Sequence, residues 1–201
     1  MAFPEKIALA TKNPHKVREL GRILAAWPVE WMTVENHDPS AFPDVEETGE
    51  TYLENALLKA GAGAAALGIP ALADDSGIEV DALGGGPGPR SARYSGPDAS
   101  DEQNLRELVR AVRGVPSGGR TARYRCLAVL AFPDGTTLEA EGVCEGRLVT
   151  TPRGDGGFGY DPIFVPEGWD RTMAELTDEQ KDRISHRGRA FRALEAILRR
   201  G

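Results

Sequence analysis

The sequence predicts an α/β fold built on a mixed sheet. Short apolar segments with strand character alternate with segments whose apolar residues recur at helical spacing. Capping signals stand in front of the helical segments. Two long strand-like runs, 122–132 and 137–149, are joined by the turn Pro133-Asp134-Gly135. That hairpin adds antiparallel pairing to an otherwise crossover pattern, so the sheet is expected to be mixed.

Residues 7–10 read as a buried strand running into Thr11-Lys12-Asn13-Pro14. Asn13 suits a helix N-cap and Pro14 the first helical position. Val17, Leu20, Ile23 and Leu24 supply the apolar stripe, Pro28 ends the helix, and 29–34 follows as a second strand. After an acidic loop, 44–50, Thr51 and Glu54 form a capping box for a helix that reaches Leu67 and stops at Gly68. Residues 71–73 read as a strand that ends in Asp74-Asp75-Ser76-Gly77, and Gly84 to Pro89 as a turn-rich loop. Ser100 and Gln103 cap a helix carrying Leu105, Leu108, Val109 and Val112, closed by Gly114. A glycine-rich loop leads to Phe158-Gly159-Tyr160-Asp161. Thr177 to Gln180 cap one last helix, with Ile184, Phe191, Leu194 and Leu198 inward.

The chain has 201 residues, enough for one domain with a real core. No repeat or low-complexity linker divides it. Its hydrophobic fraction is 40% and its charged fraction 27%, near globular averages, which argues against disorder. With 24 basic and 31 acidic residues the net charge is -7, a poor match to a nucleic acid partner. A local basic pocket for a small anion stays compatible with it. Cys126 and Cys144 form no CxxC and lie near no histidine in sequence, so zinc and disulfide frameworks are not expected. No stretch is apolar and continuous enough to span a bilayer, and the N-terminus has no apolar signal region. A cytoplasmic protein is the expectation.

Four segments could carry chemistry. Thr11-x-Asn13-x-x-Lys16 stands where a strand passes into a helix, and a helix N-terminus attracts phosphate. The acidic segments Glu46-Glu47 and Asp74-Asp75 suit magnesium, which takes one or two carboxylates and completes its shell with water and phosphate oxygens. Phe158-Gly159-Tyr160-Asp161 offers aromatic rings that stack on a base. Lys181 and Ser185 share a helix face by i, i+4 spacing, and Arg187 presents a planar fork to a base edge or a phosphate. Each segment also has a plain structural reading: a cap with a solvated lysine, a solvated acidic loop, a strand start packing two rings, a charged helix exterior. Gly154-x-Gly156-x-x-Gly159 matches a dinucleotide fingerprint by letter, but Asp161-Pro162 follows where a helix is needed.

Taken together, these segments resemble the inosine/xanthosine triphosphate pyrophosphatases. The likeness runs from Ile7 to about Leu198. It is carried in the family's order by Thr11-x-Asn13-x-x-Lys16, Glu46-Glu47-Thr48-Gly49, Glu54-Asn55-Ala56 with Lys59, and Ala73-Asp74-Asp75-Ser76-Gly77. Ser91 to Gly96, Phe158 to Phe164 and Ser185-His186-Arg187 complete the set. The resemblance implies a two-lobed α/β fold with an elongated mixed central sheet flanked by helices, a central cleft and a homodimer. It implies magnesium-dependent hydrolysis of ITP, dITP and XTP to monophosphate and pyrophosphate. By motif position, Thr11, Asn13 and Lys16 hold the triphosphate and Lys59 also binds substrate. Asp75 is the catalytic acid–base residue and a metal ligand, with an acid of the Glu46–Glu47 pair, Glu46 favoured, as the second ligand. Ser76 touches substrate; Phe158, Gly159, Tyr160 and Asp161 meet base and ribose; Lys181, His186 and Arg187 meet the base. The family often has Gly or Ser where Lys12 stands, and an added positive charge there is not expected to harm phosphate binding.

Overall fold

A computed structural model describes residues 3–200. Strands and helices follow in the order β1 (Lys6–Leu9), α1 (Pro14–Ile23), β2 (Glu30–Met32), α2 (Tyr52–Leu67), β3 (Ala71–Val80) and α3 (Asp101–Val112). Then come β4 (Thr121–Ala131), β5 (Thr137–Leu148), β6 (Phe164–Pro166), α4 (Asp178–Ile184) and α5 (His186–Arg200). The six strands form one sheet in the order β2-β1-β3-β4-β5-β6. β1 runs parallel to β2 and β3, while β5 and β6 are antiparallel, so the expected mixed α/β sheet is present.

The chain folds as two compact units. The first comprises residues 1–75, 126–142 and 187–201; the second comprises 76–125 and 143–186. In the first unit, strand alternation sorts the core into two layers. Ile7, Leu9, Leu72, Cys126, Ala128 and Leu130 pack against Val17 and Leu20 of α1 and Phe191, Leu194 and Leu198 of α5. Their strand neighbours Ala8, Ala71, Ala73, Val129 and Ala131 pack against Ala56, Ala60 and Ala64 of α2. That second layer is nearly all alanine, which lets α2 lie close to the sheet. A Cβ on Gly63 would sit 3.0 Å from the Ala10 Cβ and 3.1 Å from the Ala71 Cβ.

In the second unit, Leu108 and Val112 of α3 pack with Ile78, Val80, Ala122, Tyr124, Leu148, Ile163 and Phe164. The β4–β5 hairpin turns at the expected place, with Gly135 at φ 88° donating to the Phe132 carbonyl at 2.9 Å. The capping boxes of α2 and α3 both form, and Gly68 closes α2 at φ 65°.

Four expectations need correction. α1 ends at Ile23, with Leu24 as its C-cap, ahead of Pro28, and β2 covers only Glu30–Met32. β3 does not stop before Asp74; it runs through both aspartates to Val80. Extended backbone persists there because both carboxylates find cationic partners and Ile78 and Val80 keep the alternating pattern buried. Phe158 to Asp161 is a turn feeding a short 3-10 segment, Asp161–Ile163, which sets aside only the plain structural reading of a strand start. The expected single last helix is two, because Ser185 takes an extended backbone (φ -63°, ψ 153°) between α4 and α5. Neither cysteine forms a disulfide, and both are buried.

Candidate active site

The first unit gathers its charged groups around the β1–α1 junction and the middle of β3. Asn13 caps α1 as expected: its Oδ1 accepts from the amides of His15 at 2.9 Å and Lys16 at 3.3 Å. The Thr11 Oγ1 accepts from the Asn13 amide at 3.2 Å. Capping thus consumes two helix-start amides, and the Asn13 side-chain NH2 and the Thr11 hydroxyl remain as donors by their chemistry. Lys16, one turn in, donates from Nζ to the Asp74 carboxylate at 3.0 Å and to its carbonyl at 3.2 Å. Lys12 reaches Asp44 at 2.6 Å, which ties this junction to the start of the acidic loop.

Alternation along β3 sends the adjacent aspartates to opposite faces. Asp74 follows Leu72 onto the α1/α5 face. There its Oδ2 accepts from Arg187 Nη2 at 3.1 Å and Nε at 3.3 Å, as well as from Lys16. Arg187 also holds Glu19 of α1 at 2.7 Å. Burial alone would raise the Asp74 pKa, but Arg187, then Lys16 and Lys59, hold it far below the usual carboxylate range. Arg187, expected at the base, is 1% exposed and its guanidinium is engaged by these two acids.

Asp75 follows Ala71 and Ala73 onto the α2 face. Lys59 Nζ donates to Asp75 Oδ1 at 2.9 Å and to Glu47 Oε1 at 2.7 Å, and Asn55 Nδ2 approaches Asp75 Oδ2 at 3.4 Å. Asn55 and Lys59 are i, i+4 on α2, so the helix presents them together. The Asn55 Oδ1 also accepts from the Gly49 amide at 2.8 Å, pinning the acidic loop. Burial raises the Asp75 pKa; Lys59 and Lys16 pull against it, Glu47 adds to it, and the net shift is upward. Lys59 shifts upward too: burial opposes its charge, but Asp75, Asp74 and Glu47 outweigh that cost.

Of the acidic pair, Glu47 is joined to Asp75 through Lys59, while Glu46 is exposed. Among the described residues no three His, Cys, Asp or Glu side chains group closely enough to cage a metal. A magnesium ion needs no such cage. Burial disfavours the charged form of Asp75, and Lys59 bridges Asp75 and Glu47 as a cation would. The donor set is all oxygen, the chemistry magnesium selects. The residues fit the ion.

The second unit holds an aromatic and polar cluster of its own. Asp161 accepts from Lys181 Nζ at 2.7 Å, from the Phe158 amide at 2.9 Å and from the Tyr124 hydroxyl at 3.2 Å. Lys181 Nζ lies 4.8 Å from the Phe158 ring centroid, a cation–π contact. Gly157, at φ 70°, packs against the Asp161 carboxylate so closely that a Cβ would overlap it. The His186 ring stacks on Tyr124, with centroids 4.6 Å apart and planes 10° off parallel. The Tyr160 hydroxyl donates to the Ser91 carbonyl at 2.7 Å. Ser76, the residue after Asp75 on β3, is partly buried.

Lys181 and Ser185 do not share a helix face in the expected sense, since Ser185 caps α4 and gives its amide to the Lys181 carbonyl at 2.8 Å. The sequence reading passed over Glu19 and Tyr124, and named Asn55 within a motif without giving it a role. Glu19 had a signal: an acid on the apolar side of α1, one turn from both Lys16 and Ile23. Tyr124 had none, because a tyrosine in an alternating strand reads as core.

These features define a class: an α/β protein whose helix start, lysines and buried carboxylates suit a polyphosphate, with a separate aromatic and polar cluster suited to a flat ring. A model of the Ham1 family matches residues 7–197. The chain is 48% identical over 191 residues to the dITP/XTP pyrophosphatase of Geobacillus kaustophilus, covering 95% of this chain and 93% of that protein. It is 50% identical over 194 residues to the dITP/XTP pyrophosphatase of Streptomyces coelicolor, covering 96% and 97%. The structure of a HAM1 protein from Coxiella burnetii superposes with a TM-score of 0.87 at 37% identity, over 98% of this chain and all of that one. This chain belongs to the Ham1 family.

Proposed function

We propose that this protein hydrolyses the triphosphates of deaminated purine nucleosides, ITP, dITP and XTP, to the nucleoside monophosphate and pyrophosphate. The observation that carries the reading is Asp75: a buried carboxylate with a raised pKa, held by Lys59, on a strand whose neighbouring acid anchors Lys16. A protein that only bound anions would have no use for carboxylates beside a phosphate site. Full-length similarity to proteins named dITP/XTP pyrophosphatases supplies the substrate class.

In this reading Thr11, Asn13 and Lys16 bind the triphosphate, helped by the α1 dipole. Asp74 holds the Lys16 ammonium in place. Asp75 orients and deprotonates the attacking water, a role that suits a carboxylate whose affinity for protons is raised. Lys16 offsets charge on the departing pyrophosphate. Asp75 would hold magnesium together with Glu46, the acid of the Glu46–Glu47 pair that Lys59 does not engage. When bound, magnesium neutralises phosphate charge and lowers the pKa of a bound water. Glu47 and Lys59 orient Asp75 from the α2 side.

Phe158, Gly159, Tyr160 and Asp161 receive base and ribose, with Lys181 and His186 as polar partners for the base. Hypoxanthine and xanthine present an acceptor oxygen where adenine presents an amino donor. Donors placed there are left unpaired by ATP, a mismatch that can discriminate about 10⁴-fold. Arg187 contributes through Asp74 and Glu19.

A homodimer completes the reading, supported by the resemblance, and light scattering on the purified protein tests it. A cytoplasmic setting follows from the substrate, a free nucleotide; among the described residues no helix is long and apolar enough to cross a membrane. Incubation with magnesium and ITP, XTP, ATP, GTP or dTTP, with products resolved by ion exchange, tests the activity. Monophosphate plus pyrophosphate from ITP and XTP, far ahead of ATP and GTP, is expected. Turnover of dTTP in their place would move the protein to a pyrimidine-directed activity.

A further inference from the structure

The segment Phe158 to Asp161 is a turn, and turns hold a binding geometry only when something outside them fixes their backbone. Three contacts do this within the second unit. Asp161 folds back on the Phe158 amide at 2.9 Å, and the Tyr160 hydroxyl reaches the Ser91 carbonyl at 2.7 Å. The third comes from outside the segment and its motif: the Asp101 Oδ2 accepts from the Gly159 amide at 3.0 Å.

Asp101 is the first residue of α3, and its position is well determined. The Ser100 capping box fixes the helix start, and Leu108 and Val112 bury the helix in the core. Asn104, 2% exposed, accepts from the Ser95 amide at 2.8 Å and donates to the Ala92 carbonyl at 3.0 Å. One helix therefore anchors both the 91–96 segment, which receives Tyr160, and the Gly159 peptide. Gly159 stands at φ 61°, a conformation that needs an outside contact to stay selected in so permissive a residue. A carboxylate accepting from an amide is a charge-assisted bond, stronger than its neutral counterpart. The neighbouring acid Glu102 pairs along the helix with Arg106 instead.

We propose that Asp101 is a positioning residue that clamps the Gly159 peptide and so keeps the Phe158–Asp161 turn ordered for the nucleoside part of the substrate; this rests on the function proposed above. Asp101 touches no substrate. It acts on ground-state binding through the turn and leaves the hydrolytic step alone.

The test compares Asp101→Ala, Asp101→Asn and Glu102→Ala in the full chain. Amide hydrogen exchange by NMR on the nucleotide-free protein reads the clamp directly. Gly159 protection is lost in Asp101→Ala, kept in Asp101→Asn, which retains an acceptor oxygen, and kept in Glu102→Ala. With ITP, Asp101→Ala raises KM by about tenfold with kcat within about twofold, while the other two stay near wild type. Equal Gly159 exchange in Asp101→Ala and Glu102→Ala overturns the proposal, as does an unchanged KM in Asp101→Ala. A wild-type protein that does not turn over ITP would sink the proposed function, and the exchange measurement would still decide the clamp.

Discussion

Asp74 and Asp75 are adjacent in sequence and opposite in circumstance. Asp74 meets Arg187 and Lys16, and its pKa is pushed far down; Asp75 meets one lysine in a buried setting, and its pKa is raised. The two substitutions to asparagine should therefore separate. For Asp74 the folded pKa lies below the unfolded one, so its contribution is fully present above about pH 4 and is lost as pH falls further. Asp74→Asn should cost about 3–5 kcal/mol, since it leaves Arg187 and Lys16 short of a buried counter-charge. Urea titrations from pH 8 to pH 4 should show a constant gap from wild type, narrowing only in stronger acid. For Asp75 the sign reverses. Its folded pKa lies above the unfolded one, so its contribution is fully present below the unfolded pKa and is lost as pH rises through the folded pKa. Asp75→Asn should lower kcat by about 10³-fold or more. Near-normal turnover in that variant would remove Asp75 from the chemistry.

At the scale of elements, α2 ties the fold to the site. Its capping box fixes the helix start, and Asn55 and Lys59, one and two turns in, carry Asp75, Glu47 and the Gly49 amide. Thr51→Ala removes the cap and should cost about 1 kcal/mol in a urea titration. KM for ITP should rise with it, because the Glu47–Lys59–Asp75 bridge depends on where that helix begins. The turn before Asp161 has a different constraint. Gly157 combines a left-handed φ with direct contact to the Asp161 carboxylate. Gly157→Ala should displace Asp161 from Lys181 and raise KM for ITP by about tenfold or more with little loss of global stability. The ITP saturation curve and the thermal melt of that variant, measured together, check both halves of the statement.

Across the whole molecule, the consequence is linkage. A buried carboxylate is stabilised by whatever cation binds it in the folded protein. Magnesium should raise the Tm of the wild type in proportion to the logarithm of its concentration once the site is near saturation. The rise should be largely absent in Asp75→Asn and reduced in Glu46→Gln. A Tm insensitive to magnesium would argue that Lys59 is the permanent counter-ion of Asp75 and that the metal enters only with the nucleotide.

Read without coordinates, the chain already determined its α/β class, the N-caps at Asn13, Thr51 and Ser100, the Gly68 stop, the β4–β5 hairpin and the motif segments. Those depend on interactions within a few residues: a side-chain oxygen reaching an amide one turn away, a glycine free to take positive φ, an apolar stripe of fixed period. The course of β3 through Asp74-Asp75 was not legible. Two charged residues end a strand unless cations from elsewhere neutralise them, and those cations, Lys16, Lys59 and Arg187, come from three helices. The break at Ser185 was hidden because the apolar spacing continues on either side of it. Only tertiary structure placed Arg187 against Asp74 and Glu19, joined Glu47 to Asp75 through Lys59, and set Asp101 against Gly159. The physical reason is the same in each case. Local patterns state which side chains can carry charge or cap a helix, but a charge takes its partner from whatever the packed layers bring within hydrogen-bonding distance.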